Sequence, residues 1–437
     1  RRQRQMCIRD RINSWNLDGV VLEPSYKRHV HSNSLKKIIG IVDPDENGIE
    51  GIEYYFNSNL EGTDGEIKYE ASPNGKMIPQ AEVKTIQPIH GKDLILTIDS
   101  DLQYLSESLC EDALIRTEAL NCSIVFSYAN SGEILIAAEK QSQNIESYDI
   151  DLISLRAIHE PGSSLKIFSI GAAIEYGLIN ENTRFVVNDY IEVIEGSCAK
   201  NYEGYKACYR DFLNHEPYEL SVMEIIERSS NVGTILATQN LNIDYLEQYL
   251  MKFGFGKPTG VELTGELSGG FRDYKTCATC LSSLSIGYSI NVTQLQMIKA
   301  YSIIANGGRD INLSMVKKEN NSLSNEQIIS YESANRLKKL LINVVDSENG
   351  TGRSLQLENY IIGGKTGTSK THIEGVGYSD FRYNTSFTGF IETSKGPVVG
   401  SVILWGASVN PRSEYVTGGS TAAPLFKNIV SNLVPGE

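Results

Sequence analysis

Residues 361–369 read IIGGKTGTS. The β-branched pair Ile361 and Ile362 starts a strand that then carries three glycines, and glycine inside a strand marks a bulge or a place where another backbone comes close. With a side-chain period of two, Thr366 and Thr368 turn their hydroxyls to one side, suited to grip a carboxylate, and Gly367 removes the side chain that would block it. A hairpin or edge strand also accounts for the glycines. Further strands are read near 384–391 and 397–405, and an earlier hairpin in CSIVFSYA, NSG and EILIAA. Helical patterns lie between, at 163–176, 219–228, 243–253, 293–306 and 332–345. Strands early, helices in the middle and strands late predict an α+β domain whose sheet closes from both ends of the segment.

Upstream the character changes. The first ~90 residues are rich in Asp, Glu, Asn and Gly, with strands expected at KKIIGIV (36–42) and IEYYF (52–56) around the turn-forming DPDENG. DLILTID (93–99) reads as another strand, and SDLQYLSESLCEDAL as an amphipathic helix. The boundary is placed near residues 86–91, giving a loop-rich module over 1–89 and the main domain over 90–432. Residues 1–11, RRQRQMCIRDR, have no hydrophobic period and read as foreign to the native fold.

Composition is that of an ordinary globular chain: 437 residues, 41% hydrophobic and 22% charged. Lys plus Arg at 40 against Asp plus Glu at 54 gives a net charge of −14, which argues against a protein built to neutralise nucleic-acid phosphates. The densest apolar stretch, VVGSVILWGASV at 398–409, has strand length and no membrane-spanning reach. Of seven cysteines, Cys198 and Cys208 flank a short polar loop and can pair in an oxidising compartment. Cys277 and Cys280 form one CxxC without a second pair or a nearby histidine to complete a zinc site. Most of the seven are expected as free or half-buried thiols, which leaves the compartment open.

Three short motifs carry chemistry. Ser163, Ser164, Leu165 and Lys166 follow HEPG and open an apolar helix, so Lys166 stands one turn along from Ser163 on the same face. That spacing sets an amine beside a hydroxyl at a helix start, where free N–H groups can stabilise an oxyanion. SxxK alone says little, because it recurs at Ser34, Ser197 and Ser314; a capping serine before a solvated lysine is the plain alternative. SxN, at Ser229 and Asn231, is as common a string, and its plain role is to cap the helix that follows. Lys365-Thr366-Gly367 is the one KTG in the chain. His159 precedes the Pro-Gly turn and is expected to be structural, and His29, His31, His90, His215 and His372 show no metal-binding spacing.

In this order, SxxK, SxN and KTG resemble the active-site set of penicillin-recognising serine transferases. EPGSSLK, ERSSNVGT, FGFGKPTGVELTGE, SIGYSINVTQLQ, GTG at 350–352, GGKTGTSK, YNTSFTGF and GGSTAAPLF narrow the resemblance to class B penicillin-binding proteins, and within them to the FtsI-like septal branch. It runs from about residue 35 to residue 430, and the 1–89 module is similar to the end of that family's pedestal. The segment AEKQSQNIESYDID, where the family has a Pro-containing stretch, and the strand end LWGAS depart from the pattern.

The resemblance implies an antiparallel sheet with helices and a D,D-transpeptidase that cross-links peptidoglycan stem peptides and is acylated by β-lactams. It implies Ser163 as nucleophile and Lys166 as its base. Ser229 relays a proton, Asn231 holds the donor amide, and Lys365, Thr366, Gly367 and Thr368 bind the terminal carboxylate; the N–H groups of Ser163 and Thr368 form the oxyanion hole. To be neutral near pH 7, Lys166 must give up about 4 kcal/mol of preference for the charged form, through burial and the like charge of Lys365. No metal or other cofactor is required. An FtsW-type glycosyltransferase and divisome membrane proteins are the implied partners. The implied location is the extracytoplasmic side of the bacterial inner membrane, with the N-terminal anchor missing from this chain. A β-lactamase-type hydrolase and a non-catalytic β-lactam sensor are the competing readings of the same motifs.

Overall fold

A computed structural model describes residues 11, 12, 14, 15, 17, 29, 30, 35–73, 78, 83–142, 152–200, 202, 207–273, 277–318, 326–373, 377–408 and 416–434. The run 1–10 with Cys7, His31 and the distinctive stretch 143–151 lie outside the described residues.

The main sheet has five strands: β1 (Asn121–Tyr128), β2 (Ile134–Gln141), β3 (Ile362–Ile373), β4 (Gly377–Ile391) and β5 (Val398–Ala407). Their spatial order is β3-β4-β5-β1-β2 with every pair antiparallel. The late strands therefore join the early hairpin across the β5–β1 ladder, as the sequence predicts, and the KTG strand β3 is left at the edge. Alternation along each strand serves two layers. Ile124, Phe126, Val402 and Leu404 face one apolar cluster, whose helices are α1 (Ser100–Thr117) and the carboxy-terminal α7 (Ala422–Leu433), while Val125 and Val399 face the other. That second cluster is built by α2 (Lys166–Glu175), α5 (Gln294–Ala305) and α6 (Tyr331–Asp346). Between α2 and α5 run the short helices α3 (Val222–Arg228) and α4 (Asn231–Thr238). The pattern reading leaves out α7.

Three expected strands are not strands. Lys36–Ile39 and Gly51–Tyr55 are single helical turns, each sending one residue, Ile38 or Ile52, into the α2 cluster. Their β-branched and aromatic residues suit a ladder, but that propensity yields to the packing each turn finds, and the first run makes only the bridge from Val42 to Gly48. DLILTID runs extended with one isolated bridge, Leu96 to Val316. The small module instead pairs Glu66–Lys68 with Lys84–Ile86.

The cysteines also differ from expectation. Cys110–Cys122, Cys198–Cys208 and Cys277–Cys280 are all disulfides. The first was hidden because its halves sit on a helix and a strand, and only their packing brings the Cα atoms to 5.4 Å.

Phe168 of α2 is fully buried, edge-on to Phe253, Phe255 and Tyr301. Phe168→Ala is expected to cost about 3–5 kcal/mol, read as a lowered thermal unfolding midpoint; an unchanged midpoint would show that the α2 cluster does not hold the fold.

Candidate active site

The turn that carries Ser163 comes first. Gly162–Leu165 form a 3₁₀ turn that runs directly into α2. Gly162 has φ +54° and donates its N–H to the carbonyl of Gly287. A Cβ built on Gly287 would stand 1.9 Å from the Gly162 oxygen, so only glycine lets the two backbones meet. Ser164 points inward and donates to the Pro161 carbonyl at 2.5 Å, while its own carbonyl accepts from Tyr301 Oη at 2.8 Å. With its neighbour locked in this way, Ser163 is left half-buried on the cleft wall.

One turn along, Lys166 is fully buried. Its Nζ donates to the Ser229 carbonyl at 2.7 Å and to Asn231 Oδ1 at 2.6 Å, and lies 3.5 Å from Ser229 Oγ. The plain alternative of a solvated lysine is excluded by this burial. Burial lowers the Lys166 pKa to about 7, against the pull of Asp211, which raises it. Lys365 is also fully buried, and burial first, then the charge of Lys166, pushes it well below its ordinary value. Of the two causes expected for Lys166, burial and the like charge of Lys365, burial is the larger, and the repulsion between the two amines shows in the lowered value of Lys365. Among the described residues neither amine has a carboxylate within ion-pair distance.

The SxN turn divides its labour. Ser230, not Ser229, caps α4, accepting from Gly233 N at 2.8 Å. Ser229 closes α3 in the left-handed region at φ +60°, a conformation that costs a non-glycine residue about 1–2 kcal/mol. Its hydroxyl is thereby turned to the cleft and to Lys166. Strand β3 supplies the third wall. Thr366 Oγ1 donates to Thr351 Oγ1 at 3.0 Å, and Thr368 Oγ1 accepts from Gly418 N at 3.1 Å. Gly367 does not clear the path of a ligand as expected. A Cβ there would meet Ser386 Oγ at 2.3 Å, Ser164 Oγ at 2.9 Å and Pro161 O at 3.1 Å, so the glycine allows the strand to lie against the turn that carries Ser163.

Ser163, Ser229, Asn231, Thr366 and Thr368 line one cleft of about 900 Å³, with the two lysines beneath it. Every predicted position is thus brought to one place. Three contributors were missed: Thr351 and Gly418, which hold the β3 hydroxyls, and Asp211, whose carboxylate accepts from Ser230 Oγ, Asn231 N and Val232 N. Thr351 and Gly418 sit in stretches quoted for the family resemblance, whereas nothing in YRDFLNHEP singles out Asp211. His159 is buried edge-on to Trp405, and its backbone bridges Val292, as a structural residue would.

Known proteins share this fold. Residues 122–431 match the penicillin binding protein transpeptidase domain, and residues 11–96 the penicillin-binding protein dimerisation domain. Stage V sporulation protein D of Bacillus subtilis is 28% identical over 97% of this chain and 66% of its own length. Peptidoglycan D,D-transpeptidase FtsI of Buchnera aphidicola is 29% identical over 97% of this chain and 72% of its own. The chain therefore spans under two thirds of the first relative. Penicillin binding protein 3 of Mycobacterium tuberculosis superposes with a TM-score of 0.75 at 26% identity, covering 93% of this chain and 89% of that one, and has also been solved with aztreonam. With most of its length matched to the transpeptidase domain, the chain belongs to the penicillin-binding protein transpeptidase family, in its FtsI-like class B branch.

Proposed function

We propose that this chain is a peptidoglycan D,D-transpeptidase working through a serine acyl-enzyme. The observation that carries the reading is the Lys166 amine, one turn along from Ser163, fully buried and held by the SxN turn, with its pKa lowered to about 7. Ser163 Oγ attacks the carbonyl of the D-Ala-D-Ala bond while Lys166 takes its proton. The oxyanion is held by the N–H groups of Ser163 and Thr368. Lys365, Thr366 and Thr368 receive the terminal carboxylate, beside the strand that Gly367 lets pack closely, and Asn231 holds the donor amide. As the C–N bond breaks, Ser229 passes a proton to the departing D-Ala amine. An amine of a second stem peptide then attacks the acyl carbonyl, forming the cross-link and freeing Ser163. β-Lactams enter by the same first step and remain attached.

The FtsI-like membership supports septal wall synthesis alongside an FtsW-type glycosyltransferase and divisome membrane proteins. The three disulfides suit an extracytoplasmic site. Among the described residues no helix is long and apolar enough to cross a membrane; the 1–89 module is read as the pedestal of a membrane-attached enzyme.

Mass spectrometry after penicillin treatment is expected to find the adduct on Ser163, stable for minutes, and none in Ser163→Ala; turnover within seconds would make the chain a hydrolase. Because only neutral Lys166 accepts a proton, the acylation rate is expected to fall about tenfold per pH unit below about 7 and to level off above it. A rate flat from pH 5 to 8 in stopped-flow measurements would remove Lys166 as the base.

A further inference from the structure

Between α2 and α3 an arm of the chain folds over the SxN turn. Its hairpin pairs Tyr190–Glu192 with Cys208–Arg210 and is tied by the Cys198–Cys208 disulfide. Asp211 follows immediately, its N–H donating to the Asp189 carbonyl at 3.0 Å. Its carboxylate is 8% exposed. Oδ1 accepts from the N–H groups of Asn231 at 2.6 Å and Val232 at 3.0 Å. Oδ2 accepts from Ser230 Oγ at 2.7 Å and faces His215 Nε2 at 3.2 Å. The arm also grips the Asn231 side chain, whose Nδ2 donates to the Arg210 carbonyl at 2.7 Å. That bond aims Oδ1 of the same amide at Lys166.

We propose that Asp211 is a positioning residue for acylation: its carboxylate fixes the Ser229–Asn231 turn and, through Asn231, the place of the Lys166 amine. The inference rests on the transpeptidase reading above. A chain needing only a helix cap already has one in Ser230, which serves Gly233; the carboxylate adds charge at the N-terminus of α4, and charge reaches further than a cap. Lys166 feels it, because Asp211 raises its pKa against burial. The groups around this pair are Lys365 from β3, His215 and Arg210 on the arm, Tyr218 ahead of α3 and Arg228 at its end, with Arg228 over the Tyr218 ring at 5.7 Å. Among the described residues lining the cleft, Asp211 is the single carboxylate.

Asp211→Asn keeps the shape and an acceptor for the Asn231 amide and removes the charge. With penicillin as probe, the acid limb of its acylation profile is expected to move to lower pH by about one unit, since Lys166 then loses its proton more readily. The acylation constant at pH 8 is expected to fall about tenfold as the turn loosens. Asp211→Glu, which restores the charge, should return the limb to its wild-type place. A limb that stays put in Asp211→Asn, with the constant within about twofold of wild type, overturns the proposal, because a purely structural carboxylate would leave the profile where it was. Should Asp211→Asn not fold, Asp211→Ser carries the same comparison; failure of both to fold also overturns it, since Asp211 would then serve the fold alone. Wild-type protein that forms no adduct would sink the transpeptidase reading itself, a result distinct from a wild type that reacts and a variant whose limb does not move.

Discussion

An ammonium group in a dry protein interior is costly, and the arrangement of this domain follows from placing two of them side by side. Lys166 and Lys365 are both fully buried, and the interior offers them oxygens of neutral groups: the Ser229 carbonyl and the Asn231 amide for Lys166, the Thr366 carbonyl for Lys365. Neutral acceptors satisfy an amine's donors without restoring the energy of a lost hydration shell. The pair therefore favours one neutral amine, which is the form that the base role proposed for Lys166 requires. Asp211 is near enough to keep Lys166 from falling further and has no direct contact that would hold it charged.

Rigidity around the pair has local causes. Back-to-back glycines, Gly162 and Gly287, let the Ser163 turn press against the segment before α5. Gly367 lets β3 press against the other side of the same turn. Ser164 and Ser230, the middle residues of the two serine motifs, spend their hydroxyls inward on Pro161 and on the cap and Asp211. Their neighbours Ser163 and Ser229 are thereby left facing the cleft. Strain at Ser229, with its left-handed backbone, is tolerated because α3, α4 and the arm determine the turn from three directions.

Much of this was legible in the sequence, for identifiable reasons. The closing of the sheet from both ends could be read because β1 and β5 are long runs rich in β-branched and apolar residues, buried on both faces, and the early pair is joined by a glycine turn. The helices α2, α5 and α6 carry apolar periods that nothing interrupts. The single turns at 36–39 and 51–55 were misread, since four or five residues hold too little period to separate a helical turn from a strand. The Cys110–Cys122 bond and Asp211 escaped for another reason: each depends on segments that meet only in the folded chain, and neither leaves a local mark. The role of Gly367 was misjudged because period two says which residues share a face but not which face meets the turn.

All of this turns on the protonation of one side chain. NMR titration of the protein labelled at lysine Nζ would follow Lys166 directly, with Lys166→Met to identify its signal. The account predicts a midpoint near pH 7, far below the free lysines of the surface. A Lys166 resonance that keeps its proton past pH 9 would contradict it.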